Sequence, residues 1–172
     1  MKYKCENEIS TLSFKDFGLV DIDYNDERLL IVTDGGIAKY DNSCNETLEE
    51  RYIGEAQIRI IDAMIEDFYL EGGKYFDADD NLIEVYPDQP ITHERFKAVF
   101  KKIKAEESEA RVFFVGEKHN RDEMNTPSTG DEEAKRHMFE IAIDAVNDTY
   151  WIKVSGKKIV VEFDRFMNRV MQ

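Results

Sequence analysis

The sequence predicts an α+β fold, in which an antiparallel sheet built from hairpins carries about three to four packed helices. Short apolar runs flank turn-forming residues at three places, as they do in β-hairpins. Elsewhere apolar residues recur at intervals of three and four, as on the buried face of a helix. A mostly β fold is the alternative, because β-branched residues also occur in the segments with helical spacing.

Length and composition predict one compact unit. The chain has 172 residues, of which 42% are hydrophobic and 12% aromatic, so it carries enough apolar side chain for a core. That length lies within the usual size of one domain. We therefore expect residues 1–172 to form a single globular domain.

The first predicted element is a hairpin over residues 19–40. The apolar run from Leu29 to Val32 precedes the turn residues Asp34-Gly35-Gly36, and the chain returns from Ile37 to Tyr40. The apolar residues between 14 and 22 predict another strand or an irregular lead-in.

A helix is the preferred interpretation of residues 46–70. Ser43 and Glu46 have the spacing of a capping box, and Gly72-Gly73 would end the helix. The apolar residues with helical spacing are Ile58, Ile61, Ile65 and Phe68. The β-branched run from Ile58 to Ile61 also fits a strand, so that alternative stays open.

Two further elements follow before residue 107. The segments 74–76 and 82–86 flank the polar residues 77–81, which predicts two strands around a turn. Thr92 can cap a helix that runs to about Glu107. The buried face of that helix would consist of Phe96, Val99, Phe100 and Ile103.

The segment after residue 110 begins with a predicted buried strand over residues 111–116. Residues 117–130 are polar and lack periodicity, which is typical of a long surface loop. Residues 131–147 favour a helix because acidic residues stand at its start, although alternating apolar residues leave a strand open.

The C-terminal segment predicts a hairpin followed by a short helix. Tyr150–Val154 and Lys157–Phe163 are rich in aromatic and β-branched residues, and Ser155-Gly156 would form the turn between them. Apolar residues from Phe163 onwards then recur at helical spacing, which predicts a docked helix at 163–171.

The charge excludes some functions and favours others. Asp and Glu number 37 against 23 Lys and Arg, which gives a formal net charge of −14. Nucleic-acid affinity comes largely from cationic side chains, so direct binding to nucleic acid is not expected. The same charge attracts basic proteins and also keeps a protein in solution.

Cysteine content and hydropathy indicate the compartment. Cys5 and Cys44 have no CxxC partner or histidine at ligand spacing, which predicts reduced thiols and neither a disulfide scaffold nor a zinc site. No apolar stretch has the length of a signal peptide or a membrane span. We therefore expect a cytoplasmic protein that does not bind membranes.

One acidic cluster resembles part of a calcium-binding loop in its spacing. Asp77, Asp79 and Asn81 alternate, and Asp88 stands at the twelfth position counted from Asp77. Leu82 occupies the position where the loop needs glycine, so a polar hairpin turn is the competing interpretation. Calcium is the only cofactor that the sequence suggests.

A second set of residues is a candidate partner-binding surface. Asp21 and Asp23 would share one face of a strand, because side chains alternate, and Asp26 and Glu27 follow. His119 and Arg121 lie in the predicted long loop, where binding residues often occur. A solvated strand edge explains the acidic residues equally well.

These observations favour a noncatalytic acidic protein that masks a basic surface on a partner macromolecule, as an inhibitor or immunity protein does. A hydrolase that uses metal or carboxylates at the acidic clusters is one alternative. A structural homo-oligomer is the other. The sequence leaves catalysis undecided but contains no recognisable nucleophile and base arrangement.

Overall fold

The computed structural model describes residues 1–25, 27–105, 109–118 and 136–170. Strands contain 58% of these residues and helices 11%, so the predicted α+β fold with three to four helices is wrong and the mostly β alternative is confirmed. The helical residues form the 3-10 turns Ile9–Thr11 and His93–Arg95 and the α-helix α1, Phe96–Ala105.

The strands of the described residues begin and end as follows: β1 Tyr3–Glu6, β2 Leu12–Ser13, β3 Phe17–Asn25, β4 Arg28–Thr33, β5 Gly36–Ala38, β6 Arg51–Ile53, β7 Ala56–Ile61, β8 Met64–Leu70, β9 Gly73–Phe76, β10 Leu82–Tyr86, β11 Gln89–Pro90, β12 Arg111–Glu117, β13 His137–Ala145, β14 Asp148–Gly156, β15 Lys158–Phe163 and β16 Phe166–Arg169. Their pairings are antiparallel throughout.

The main sheet has ten strands in the order β1-β15-β7-β4-β3-β12-β13-β14-β8-β11. The short pairing of β3 with β12, where Gly18 faces Arg111 and Phe17 faces Val112, is one junction between the two halves of this sheet. One half is β1-β15-β7-β4-β3 and the other is β12-β13-β14-β8-β11. The halves are joined again because β7 continues into β8, and β14 continues into β15, through one or two residues. The sheet is therefore folded over on itself, and its inner side chains form the core.

Helix α1 covers part of this core with the predicted face. Its buried residues are Phe96, Val99, Phe100 and Ile103. Phe68 of β8 stacks on Phe100 with the ring centres 5.3 Å apart and lies 5.4 Å from the ring of Phe96. The prediction of a helix after Thr92 is confirmed as far as Ala105, but Thr92 precedes the 3-10 turn and makes no side-chain capping hydrogen bond. Glu106 and Glu107 lie outside the described residues.

Three predicted helices are wrong. The segment 46–70 contains β6, β7 and β8, the described part of 131–147 forms β13, and residues 166–169 form β16. In each case β-branched or aromatic residues pair with other strands of a sheet, and that pairing outweighs the local helical spacing. The alternative prediction of a strand is confirmed both for residues 58–61 and for the segment around residue 141.

Two predicted hairpins have strands at the expected places but different partners. β4 pairs with β3 and β7, whereas β5 pairs with β2 and β6 in a separate sheet of order β16-β6-β5-β2. Likewise β14 pairs with β13 and β8, and β15 with β7 and β1. The glycines at these junctions therefore move the chain from one sheet or half-sheet to another.

Two other predictions are confirmed in outline. β9 and β10 form the expected hairpin, and β12 forms the expected strand. A bulge between Val112 and Phe114 changes the direction in which the side chains of β12 point, so that Val112 is buried while Phe113 and Phe114 are exposed. Of the predicted loop 117–130, residues 119–130 lie outside the described residues.

The contacts of Phe68 generate a stability prediction. Phe68→Ala should lower the free energy of unfolding by about 3–5 kcal/mol, because it removes a buried ring from the contact with α1 and leaves a cavity. Urea unfolding followed by fluorescence measures this change. Phe76→Ala is the matched control, since Phe76 is 54% exposed and Phe68 only 2%. Equal effects of the two substitutions would contradict the described packing.

Candidate partner-binding surface

The segment from Gly73 to Tyr86, which we call the arm, stands apart from the two larger sheets and α1, which we call the body. In the described part of the chain, β9 and β10 form their own two-stranded sheet and pair with no other strand. Every residue from 74 to 90 is exposed. A lone two-stranded hairpin is at best marginally stable in water, so the arm lacks the support that a third strand or a helix normally gives.

The arm exposes an unusual amount of apolar side chain for its length. Six large residues are between 46% and 67% exposed: Tyr75, Phe76, Leu82, Ile83, Val85 and Tyr86. The rings of Tyr75 and Tyr86 contact each other edge to face, with centres 5.3 Å apart. Contiguous exposed apolar side chains on a protein surface commonly mark an interaction site.

The tip of the arm is a turn that Asp77 organises. Its Oδ1 accepts hydrogen bonds from the backbone N–H groups of Asp79 and Asn81, each at 2.9 Å. The side-chain amide of Asn81 donates to Oδ2 at 3.1 Å. Asp80 has a φ of 60°, which the turn requires. These hydrogen bonds, above all those from Asn81, hold the pKa of Asp77 below its ordinary value.

At the base of the arm, the segment that enters the hairpin and the segment that leaves it lie very close together. A Cβ on Gly72 would lie 2.0 Å from the backbone oxygen of Tyr86, so any larger residue must displace the backbone there. The N–H of Gly72 donates to Oδ1 of Asp88 at 2.8 Å. Beyond this point β11 pairs with β8, which joins the arm to the main sheet.

The arm is acidic as well as apolar. Between Glu71 and Asp88 the sequence contains six carboxylates and one cation, Lys74. Three of those carboxylates belong to Asp77, Asp79 and Asp80 at the tip. The arm therefore presents apolar side chains beside negative charge, a combination that suits an apolar surface with a basic rim.

An aromatic cleft lies on the body next to the base of the arm. Phe113, Phe114 and Trp151 line it together with Lys15 and Glu140, and its volume is about 330 Å³. The exposure of both phenylalanines results from the bulge in β12. The indole N–H of Trp151 donates to Glu71 at 3.2 Å, so the cleft is contiguous with the base of the arm.

The predicted acidic partner-binding residues lie on a different part of the sheet. Asp21 and Asp23 face outward from β3, as the alternation predicts, with Ile22 buried between them. Asp21 forms an ion pair with Lys104 of α1 at 2.6 Å, whereas Asp23 and Glu27 are exposed. Asp26, His119 and Arg121 lie outside the described residues. The binding role of this set remains a prediction.

The predicted metal-binding residues are divided between the two ends of the arm. Asp77, Asp79 and Asn81 form the tip, where N–H donors already occupy the Asp77 carboxylate. Asp88 lies at the base and accepts from Gly72. In the described ranges no three His, Cys, Asp or Glu side chains are grouped so that they could hold a metal ion. Calcium binding remains a prediction.

The sequence contains a pattern that could have identified the arm. Gly72-Gly73 precedes it and Pro87 and Pro90 follow it, so residues that interrupt regular pairing stand at both ends. Within it, Leu82-Ile83 and Tyr75-Phe76 place apolar residues on both faces. A hairpin of the body would bury one face and expose polar residues on the other.

Comparison of the chain with protein-family models, curated proteins and solved structures finds no match. Among the described residues, no helix has the length and apolarity needed to cross a membrane.

The close approach at the base of the arm generates a second prediction. Gly72→Ala should displace β9 against β10 and change the amide chemical shifts of residues 73–88, while the shifts of the body stay unchanged. Gly73→Ala is the control, because the atoms nearest to a Cβ there belong to the exposed side-chain ring of Tyr75, at 3.3 Å, and not to the backbone. Two-dimensional NMR spectra of both variants measure the difference. Equal perturbation by the two substitutions would contradict the described base.

The turn at the tip generates a third prediction, which concerns pH. The pKa of the Asp77 carboxyl is lowered in the folded turn, so its ionised form stabilises the turn at every pH above the ordinary aspartate pKa. This stabilisation is lost as the pH falls through the lowered pKa. The amide resonances of Asp79 and Asn81 should therefore shift with a midpoint below 3.8, the ordinary value. In Asp77→Asn, which keeps an acceptor oxygen but cannot ionise, this transition should disappear. A midpoint at or above the ordinary value would contradict the described hydrogen bonds.

Proposed function

We propose that this chain is a noncatalytic cytoplasmic binding protein that uses the arm and the adjoining aromatic cleft to cover a basic surface on a partner protein. The observation that carries the proposal is the exposure of six large apolar side chains on an acidic hairpin that stands clear of the body. Inhibitors and immunity proteins act in this manner, by occupying a surface that the partner needs for its own activity.

The apolar side chains of the arm supply a driving force for association. Burying the exposed half of a large apolar side chain contributes about 1 kcal/mol, since full burial contributes about 1.5–3 kcal/mol. A micromolar complex requires about 8 kcal/mol in total. Six such side chains, with Phe113, Phe114 and Trp151 of the cleft beside them, therefore provide much of what a specific complex requires.

The charge of the arm and of the whole chain indicates the class of partner. A net charge of −14 speeds the approach of a cationic protein and repels phosphate backbones. A protein with an apolar cleft bordered by Lys and Arg is the complement of the arm. Its association should therefore be faster at low ionic strength, because salt screens the exposed charges.

The fourth prediction tests the arm directly. The double substitution Leu82→Ser and Ile83→Ser should weaken partner binding at least about tenfold, because it removes two exposed apolar side chains from the contact. Tagged protein would be used to recover partners from the lysate of the source organism, at low and at high salt. The recovered partner would then be titrated calorimetrically against each variant.

Leu48→Ser is the matched control, since Leu48 is 95% exposed but lies outside the arm. The proposal requires one stoichiometric basic partner that the wild type and Leu48→Ser retain and the arm variant loses. Equal binding by all three proteins would remove the arm from the interface. Binding that is unchanged in high salt would contradict the electrostatic part of the proposal, and dimers of the free protein in light scattering would favour self-association instead.

A further inference from the structure

The two cysteines of the chain lie side by side, although 39 positions separate them in sequence. The Sγ atoms of Cys5 and Cys44 are 3.2 Å apart. Both are free thiols. A disulfide bond has an S–S length of about 2.05 Å, so an approach of about 1 Å would bring the two sulfur atoms to bonding distance.

The surrounding polar contacts hold the two thiols in this arrangement. Cys5 is buried in β1, and Asn42 donates to its Sγ from one side at 3.6 Å. Oδ1 of Asn42 accepts from the backbone N–H of Cys44 at 3.0 Å. The buried side chain of Asn45 donates to the backbone oxygens of Lys39 and Glu49, each at 2.9 Å, which fixes the chain on the other side of Cys44. Such fixed placement favours reaction between the two groups.

Only one of the two thiols faces solvent. Cys5 is 2% exposed, whereas Cys44 is half-buried and lines a cleft of about 390 Å³. Other side chains of its lining carry charges of both signs: Lys2, Arg51, Arg165, Glu46 and Asp164. The cleft therefore gives a small polar disulfide access to the sulfur of Cys44.

We propose that Cys5 and Cys44 form a reversible disulfide by exchange with a disulfide of low molecular weight that enters through this cleft. The Cys44 thiolate attacks one sulfur of the reagent; the S–S bond of the reagent breaks, and one thiolate leaves. The Cys5 thiolate then attacks Sγ of Cys44, and the second thiolate leaves. The two protons released by the cysteines are taken up by the leaving thiolates, so the protein dithiol is oxidised and the reagent is reduced to two thiols.

The protonation of Cys5 fits this order of events. Burial, followed by the hydrogen bond with Cys44, raises the pKa of Cys5 to about 12, and the nearby Glu8 acts in the same direction. Cys5 is therefore a thiol at neutral pH and does not begin the reaction. Once Cys44 is joined to the reagent, its contribution to the raised pKa is removed, and Cys5 can ionise more readily.

The disulfide would connect two sheets of the fold. Cys5 belongs to an edge strand of the main sheet, and Cys44 precedes β6 of the four-stranded sheet. Closing a loop of this length in the unfolded chain should raise the melting temperature by roughly 10 °C. Oxidation would thus stabilise the body without requiring a change in the arm, so this inference is independent of the proposed function.

The fifth prediction is tested by redox titration of the full chain. The wild-type protein would be equilibrated with glutathione and glutathione disulfide at several ratios, quenched with an alkylating reagent and measured by mass spectrometry. We expect a species lighter by two hydrogen atoms, in which the peptide containing Cys5 is linked to the peptide containing Cys44. It should melt at the higher temperature and return to the dithiol with excess reduced glutathione. Alkylation of both thiols at every ratio would overturn the proposal.

Two variants complete the test. Cys5→Ala should stop at a mixed disulfide on Cys44, whereas in folded Cys44→Ala the buried Cys5 should stay unmodified. A stable mixed disulfide in the wild type would overturn the proposed second step, and this readout needs neither variant to fold.

Discussion

The fold depends on a long two-stranded ribbon that bends and so belongs to both halves of the main sheet. Its strands are β7–β8 and β14–β15, and the bend has little room, since a Cβ on Gly156 would lie 2.4 Å from Ile60. Arg136 holds the bend by donating to the backbone oxygens of Asp62 at 2.6 Å and of Ser155 at 3.1 Å. Without this bend the two halves could not enclose one apolar core.

The same bend explains why the hairpin predicted at 150–163 has other partners. A Ser-Gly pair between two apolar runs is locally indistinguishable from a tight turn. What decides the pairing is the contact of Gly156 with Ile60, almost a hundred positions away in sequence, and local patterns contain no such information. By contrast, helix α1 is predicted correctly, because the spacing of its four buried residues is a local feature.

The candidate sites likewise combine local features, which the sequence predicts, with contacts between distant segments, which it does not predict. The arm was predicted as a hairpin, because Asp77 and Asn81 form its turn locally, but its separation from the body is a property of the pairing of all the other strands. The contact between Cys5 and Cys44 could not be predicted either, since it requires β1 to pair with β15 and the buried Asn42 to fix the following segment. Sequence spacing excluded a CxxC motif but not this contact.

The acidity of the chain has a consequence for the arm that apolar exposure alone would not have. Apolar hairpins with free edges tend to pair with copies of themselves. Here each copy would bring carboxylates such as Asp79, Asp80 and Glu84 next to those of the other, and like charges oppose that contact. With a basic partner the electrostatic interaction of the arm becomes attractive, because the cations of the partner would meet the same carboxylates. The apolar surface of the partner would cover Ile83 and Tyr86. One feature of the sequence thus disfavours self-association and favours the class of partner that we propose.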